Sequence, residues 1–364
     1  MNGELFAGLM SGTSLDGVDA VLVDFARARP ALMGHAYREF DAPLRRDLLA
    51  LQASGADELH RAALCASALS RLYAEAIHDL LAAASVPARD VRAIGCHGQT
   101  VRHRPEAGYT LQLCNPALLA ELAGARVVAD FRSRDVAAGG QGAPLAPAFH
   151  AVMFGAPGED RAVLNLGGIA NLTSLPAAGP VTGFDTGPGN CLLDLWAQRH
   201  LGRPMDEDGA WAGGASPNAR LLDVLRAEPY FLLPPPKSTG RDLFNEAWLL
   251  PRVAATADAR AVQATLLELT AVTVTDALRA HCATAHRLIV CGGGVRNTRL
   301  MARLAALLAP VAVESSARHG IDPAQVEAAA FAWLARQALA GAPGNLPAVT
   351  GARGPRVLGA LYPP

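Results

Sequence analysis

Glycine, hydroxyl and carboxylate residues gather at three points where apolar runs stop, and each gathering is suited to holding an anion. The first, Gly12-Thr13-Ser14-Leu15-Asp16-Gly17-Val18-Asp19, lies between apolar runs at 5–10 and 18–25. Gly12 and Gly17 let backbone N–H groups face outward with no Cβ in the way. Thr13, Ser14 and Asp16 add polar groups that could meet a phosphate or the Mg²⁺ beside it. A turn of consecutive amides makes a concave anion nest. An ordinary hairpin turn favours the same residue types, so this segment alone leaves both readings open. Gly167-Gly168 and Gly292-Gly293-Gly294 also follow apolar runs, and the latter precedes a helical pattern. Together the three turns point to a nucleotide. No G-x-x-x-x-G-K-[ST] run exists, which excludes a P-loop, and Lys237 is the single lysine.

Other groups could act on a second ligand. Asp185 follows an apolar run and enters Thr186-Gly187-Pro188-Gly189-Asn190. A carboxylate at a strand end, beside amides that open a helix, can serve as a base or hold a metal-bound water. It can equally cap the helix near Asn190. Glu327, near the start of the last helical pattern, is either a reacting group or a partner of the helix dipole. In Cys96-His97-Gly98-Gln99-Thr100-Val101-Arg102-His103, the side chains of His97, Gln99 and Arg102 could bind hydroxyls or a carboxylate. A structural histidine is the alternative at His97, and Cys96 is a weaker candidate for a reactive thiol. No carboxylate or third histidine stands at metal-ligand spacing there.

The elements that must position these groups repeat. The first half reads as strands at 4–10, 18–25 and 31–40, a long helix over 57–84, strands at 91–96 and 110–114, a helix to 123 and a strand at 127–131. Asn115-Pro116 supplies an N-cap and a first-turn proline for the helix to 123. The second half predicts strands at 161–166, 169–175 and 181–184, helices near 190–200, 216–227 and 260–282, then a strand at 288–291. A helix over 298–309, a strand at 311–314 and a helix over 323–340 follow. Each half thus opens with a hairpin carrying a glycine turn, which predicts two facing α/β lobes, 1–145 and 146–364, with the extreme C-terminus packing back on the first. Nucleotides commonly sit at domain interfaces, so an interlobe cleft is expected. The Gly/Pro-rich stretch 133–147 reads as the connection, although Arg132, Arg134, Asp135 and Gln141 make it polar for a linker.

Composition sets limits. The 364 residues exceed one ordinary core, 51% are apolar, and the net charge is −1. That balance gives no electrostatic reason to expect nucleic acid or a membrane surface as partner. No apolar run reaches about 18 residues, and the chain enters a strand directly after an acidic-polar start, so neither a span nor a signal peptide is expected. Six scattered cysteines without a C-x-x-C pair read as buried free thiols in a reducing, cytoplasmic setting.

With these residues in view, the chain resembles the anhydro-N-acetylmuramic acid kinase family. The resemblance rests on seven ordered segments: 8–19, 96–100, 130–132 (Asp-Phe-Arg), 165–171 (Asn-Leu-Gly-Gly-Ile-Ala-Asn), 184–190, 237–242 (Lys-Ser-Thr-Gly-Arg-Asp) and 291–297. It implies the two-lobed actin-like, ribonuclease H-like ATPase fold shared with sugar kinases and heat-shock chaperones. It further implies ATP and Mg²⁺ as cofactors and 1,6-anhydro-N-acetylmuramic acid as substrate. The expected products are N-acetylmuramic acid 6-phosphate and ADP, in peptidoglycan recycling. By the resemblance, residues 12–19, Gly167, Gly168 and Gly292–Gly294 contact nucleotide, and Asp185 is the general base toward water. Arg132 pairs with the substrate carboxylate, and His97, Gln99 and Glu327 lie on the substrate side. A homodimer and a hinge between the lobes follow from the likeness alone. The alternatives are a phosphatase or polyphosphate hydrolase, or a regulatory ATP-binding module, on the same fold.

Overall fold

The computed structural model describes residues 3–12, 14–27, 29–254 and 258–364, so the candidate Thr13 lies outside the described residues. The chain folds as two compact units: unit 1 comprises Met1–Met153 with Gln325–Pro364, and unit 2 comprises Phe154–Ala324. This differs from a boundary at 145/146. The segment at 133–147 is not a free linker but part of unit 1.

Unit 1 holds strands β1 (Leu5–Met10), β2 (Gly17–Asp24), β3 (Ala31–Glu39), β4 (Val91–Cys96), β5 (Gln99–Arg104), β6 (Tyr109–Leu113) and β7 (Val127–Ala129). Its helices are α1 (Ala42–Ala50), α2 (Glu58–Ala84), α3 (Pro116–Ala123), α4 (Ser133–Ala137) and α5 (Ala146–Phe154), whose last residue begins unit 2. Unit 2 has β8 (Arg161–Leu166), β9 (Ile169–Leu175), β10 (Thr182–Pro188), β11 (Arg287–Cys291) and β12 (Ala312–Ser315). Its helices are α6 (Cys191–Leu201), α7 (Ala219–Arg226), α8 (Glu246–Val253), α9 (Ala259–His281) and α10 (Thr298–Leu308). Helices α11 (Val326–Leu339) and α12 (Pro347–Thr350) and strand β13 (Ala360–Tyr362) return to unit 1.

The sheet of unit 1 runs β13-β7-β4-β1-β2-β3 and that of unit 2 runs β10-β9-β8-β11-β12. In both, the first three strands form an antiparallel meander, and the fourth and fifth add in parallel beyond the first. This repeated order is the duplicated ribonuclease H-like architecture of the actin-like class. Strands β1, β2, β8 and β11 are nearly continuous apolar runs because helices cover them. In unit 1, α11 lies directly on the sheet. A Cβ on Gly8 would come within 1.9 Å of the Ala328 carbonyl, and one on Gly95 within 2.0 Å of that of Phe331. Only glycine allows this approach of helix backbone to strand.

One composition-based expectation is corrected. Helix α9 is long and apolar enough to cross a membrane by length and composition. It is instead a core helix: Val262, Leu266, Leu269, Val274 and Leu278 are buried in the hydrophobic cluster of unit 2. Its threonines use their hydroxyls on nearby carbonyls, as Thr270 does toward Pro188 and Gly189.

Candidate active site

In unit 2 three glycine segments meet. The Gly167-Gly168 turn between β8 and β9 offers its carbonyls to the start of α6. Gly168 O accepts from the amides of Gly189 and Cys191, and Gly167 O from that of Asn190. Asn190 Nδ2 donates back to the Leu166 carbonyl at 3.3 Å. The segment after β11 closes on the same place. A Cβ on Gly294 would sit 2.6 Å from Leu166 Cβ, and one on Gly292 (φ +84°) 2.5 Å from Asn165 Oδ1. Gly292 and Gly294 are therefore glycines for packing. At Gly293, by contrast, a Cβ would meet nothing within 4 Å, and at Gly167 nothing nearer than 3.5 Å. Gly293 leaves bare backbone facing open space and Gly167 is uncrowded, which together make a cradle that fits a phosphate chain.

Asp185 lies inside β10, paired with Asn171 of β9, rather than in a turn after the strand. The bulge at Asp185/Gly187 keeps strand pairing through a segment whose Gly-Pro content reads as a loop. Helix α6 is capped at Asn190, so Asp185 is not its N-cap. Every backbone group of Asp185 is tied down: its amide donates to the Lys237 carbonyl (3.1 Å), and its carbonyl accepts from Tyr230 Oη (2.8 Å). Oδ2 accepts from the Thr239 amide at 3.0 Å. Burial pushes its carboxyl up to about 7, with the Thr239 N–H and the Lys237 charge pulling the other way. Beside it, the buried Thr239 hydroxyl has no hydrogen-bond partner among the described residues.

Lys237, unexplained by sequence, is a tether. Its Nζ donates to the Tyr230 and Phe231 carbonyls, each at 3.2 Å, and lies 4.8 Å from the Tyr230 ring centroid. Sequence reasoning passed over Arg241 and Asp194. Arg241 lies 3.8 Å from the Cβ position of Gly168, and its charge opposes the burial that raises Asp194 to about 6. The signal was present, since Arg241 belongs to the Lys237–Asp242 segment.

Unit 1 gathers the remaining candidates. The turn after β1 is braced from within: Leu15 N donates to Gly12 O, Ser14 Oγ to Asp16 Oδ1 and Gly17 N to Asp16 Oδ1. The Leu15 and Gly17 amides are thus already taken. Leu15 and Val18 point into the core and could offer a ligand backbone only. Gly17 is a packing glycine, its Cβ position 2.4 Å from the Arg38 carbonyl, whereas Gly12 meets only Ser14 Oγ at 3.6 Å. Asp19 is paired with His35 at 2.8 Å. Gln99 is fully buried and donates from Nε2 to the Gly12 carbonyl at 3.1 Å, which makes it a brace for the turn.

His97 accepts on Nε2 from Arg132 Nε (3.2 Å) and Nη2 (2.9 Å), and its ring packs 4.7 Å from Phe331. Burial first, then the Arg132 charge, lowers it to about 3, so it is neutral and cannot trade protons near pH 7. Arg132 itself is brought down to about 10 by burial, opposed by Glu327 and Asp135. Glu327, in the first turn of α11, is raised by burial and held back by Arg132. Arg102 points elsewhere, bonded to Glu58 and the Leu51 carbonyl. Cys96 is no reactive thiol: it is buried against Cys114 (Sγ–Sγ 3.4 Å) and pushed well above the usual thiol range.

The family model for anhydro-N-acetylmuramic acid kinase matches residues 4–364. The chain is 59% identical to the anhydro-N-acetylmuramic acid kinase of Bordetella petrii, with 99% of this chain and 97% of the relative covered. It is 55% identical to that of Cupriavidus metallidurans (99% and 98% covered) and 52% to that of Nitrosospira multiformis (100% of both). A glucokinase of the ROK family from Streptomyces griseus, solved with glucose and AMPPNP, overlays with a TM-score of 0.42 at 15% identity, covering 92% of this chain and 99% of the other. With a matching model over nearly its whole length and relatives this similar end to end, the chain belongs to the anhydro-N-acetylmuramic acid kinase family.

Proposed function

We propose that the chain takes 1,6-anhydro-N-acetylmuramic acid, water and ATP, opens the anhydro ring and phosphorylates O6. The products are N-acetylmuramic acid 6-phosphate and ADP, within cell-wall recycling. The observation that carries the reading is Asp185: a carboxyl poised near pH 7 by burial, in a strand that runs straight into a glycine cradle.

The ionised Asp185 takes a proton from water as the water oxygen attacks the anomeric carbon. The C1–O6 bond breaks, and the electron pair left on O6 makes it the nucleophile toward the terminal phosphate. A positioned base of this kind contributes about 10²–10⁴-fold. Thr239 fixes one carboxylate oxygen through its amide and leaves the other for water. Arg132 binds the lactyl carboxylate, and Glu327 and the braced Gly12 segment lie on the same unit. In unit 2, Gly167, Gly168 and Gly293 would hold phosphate through backbone groups; in unit 1, Gly12 and Ser14 offer backbone and hydroxyl groups of the same kind. Among the described residues no three His, Cys, Asp or Glu side chains converge on a metal position. That donor set suits Mg²⁺ carried mainly by phosphates, where it neutralises charge during transfer. The proposal also includes a homodimer, from family likeness, and a cytoplasmic setting, from the scattered free cysteines.

The test incubates purified protein with Mg-ATP and the anhydro sugar, following ADP and the sugar mass. One ADP and one sugar gaining both water and a phosphoryl group are expected per turnover. A product without phosphate, or ADP release indifferent to the sugar, overturns the reading in favour of a phosphatase or an ATP-binding module.

A further inference from the structure

We propose that Asp135 is a positioning residue for Arg132, acting through Gly142. Asp135 is completely buried, and a buried carboxylate is tolerated only when donors surround it. Three do. Oδ1 accepts from Asn345 Nδ2 (2.6 Å) and Thr350 Oγ1 (2.8 Å), and Oδ2 accepts from the Gly142 amide (2.8 Å). Gly142, held by its N–H on Asp135, turns its carbonyl to Arg132 Nη1 at 2.8 Å. Its φ of +69° and a Cβ position 2.8 Å from Val136 Cγ2 allow only glycine there. The neighbouring Gly140 is likewise shaped to the carboxylate, with its Cβ position 2.2 Å from Asp135 Oδ2. The Gly-rich loop is therefore a collar around Asp135.

The guanidinium of Arg132 is held from two sides. His97 takes one N–H from Nε and one from Nη2, and Gly142 takes one from Nη1. Of five N–H groups, one on each Nη then remains among the described residues, which is the fork a carboxylate binds bidentately. His97 is anchored by Phe331 in the core, whereas the Gly142 side depends on Asp135. Removing the Asp135 charge places a donor opposite a donor in the collar and lets the carbonyl of Gly142 move. That the fork takes the sugar carboxylate rests on the function proposed above; that Asp135 sets the fork does not.

The experiment uses the full chain labelled with ¹⁵N-histidine, the His97 signal being assigned from a His97→Asn spectrum. In Asp135→Asn the His97 Nε2 resonance is expected to move toward that of an unbonded neutral imidazole. The KM for the anhydro sugar should rise about 10- to 100-fold, the scale of a catalytic group displaced by an ångström or less, while the KM for ATP stays within about twofold. Thr350→Val, which keeps the carboxylate and removes one donor, should give the same changes at about threefold, and it serves if Asp135→Asn does not fold. In an Arg132→Ala background, Asp135→Asn should add no further loss. An unmoved His97 resonance, equal rises in both KM values, or an additive loss overturns the proposal. If the resonance moves while Arg132→Ala leaves the sugar KM unchanged, the function assigned to Arg132 fails and the positioning role of Asp135 stands.

Discussion

The turn between the first and second strands occurs twice, once in each unit, and the two copies solve different problems. In unit 2 it is Gly167-Gly168, whose carbonyls hold the first amides of α6 and whose Cβ positions meet nothing nearer than 3.5 Å. In unit 1 its described residues include Ser11, Gly12, Ser14 and Asp16; it is braced by its own Ser14–Asp16 bond and fastened from behind by Gln99. The first is a bare backbone cradle fixed by a helix start. The second carries hydroxyl and carboxylate groups at an exposed surface, with its Leu15 amide turned inward. The fold places a turn at this position, and the neighbouring helix or side chain decides what the turn offers. The carboxylates divide in a similar way. Burial leaves Asp185 near neutrality with a backbone amide as its closest counterweight, whereas the burial of Glu327 is opposed first by the Arg132 charge.

The sharpest way to break this contrast is to neutralise each carboxylate. Asp185→Asn should lower kcat by about 10²–10⁴-fold with ATP still bound, whereas Glu327→Gln should act mainly on the sugar KM, by about tenfold. Steady-state kinetics with both substrates varied separates the two. Equal effects on kcat would remove the distinction between the units.

The same substitution carries a stability signature. The native carboxyl of Asp185 has a higher pKa than in the unfolded chain, so the folded state binds its proton more tightly. Its stabilising contribution is complete below about pH 4 and is lost as pH rises through about 7. Asp185→Asn should therefore raise the Tm by about 2–5 °C at pH 8 and change it little at pH 4, checked by calorimetry. In the wild type, kcat/KM should climb tenfold per pH unit up to about 7 and then level off. A limb near 4 instead would remove Asp185 as the base.

The glycines give a smaller and more local test. Gly292→Ala and Gly17→Ala force a Cβ to within 2.5 Å of existing atoms and should cost about 1–3 kcal/mol in chemical denaturation. Gly293→Ala and Gly12→Ala should change stability by less than about 0.5 kcal/mol while raising the ATP KM several-fold. Loss of stability at Gly293 would mean that its open face is not a ligand face.

The elements that sequence reading places well are those with a local cause. The apolar runs of β1, β4, β8 and β11 and the Asn115-Pro116 start of α3 are such cases. Strand β5 escapes it because Gln-Thr-Val-Arg-His-Arg is polar and finds its order only by pairing with β6. Strand β13 is three residues long and depends on a pairing with β7 more than two hundred residues away. Asp185 was recognisable as chemistry but not as strand, because the Gly-Pro run hides a β-bulge. The candidates His97 and Gln99 were legible as polar residues after a buried strand. Their work as braces was not, since it depends on Arg132 and Gly12 brought close by the fold. Asp135 read as linker polarity for the same reason.

Unit 1 is discontinuous, and this sets an order of assembly during synthesis. Unit 2 is one unbroken stretch, complete when the ribosome has passed Ala324. Strands β1 and β4 emerge long before it but must wait for α11 to cover Gly8 and Gly95, and Asp135 waits for Asn345 and Thr350. Chains are made at about 5–20 residues per second and domains usually fold from the N-terminus onward. Here the earliest strands are the last to be sheathed, so the apolar face that α11 later covers stays open to chaperones and to neighbouring nascent chains while all of unit 2 is being made.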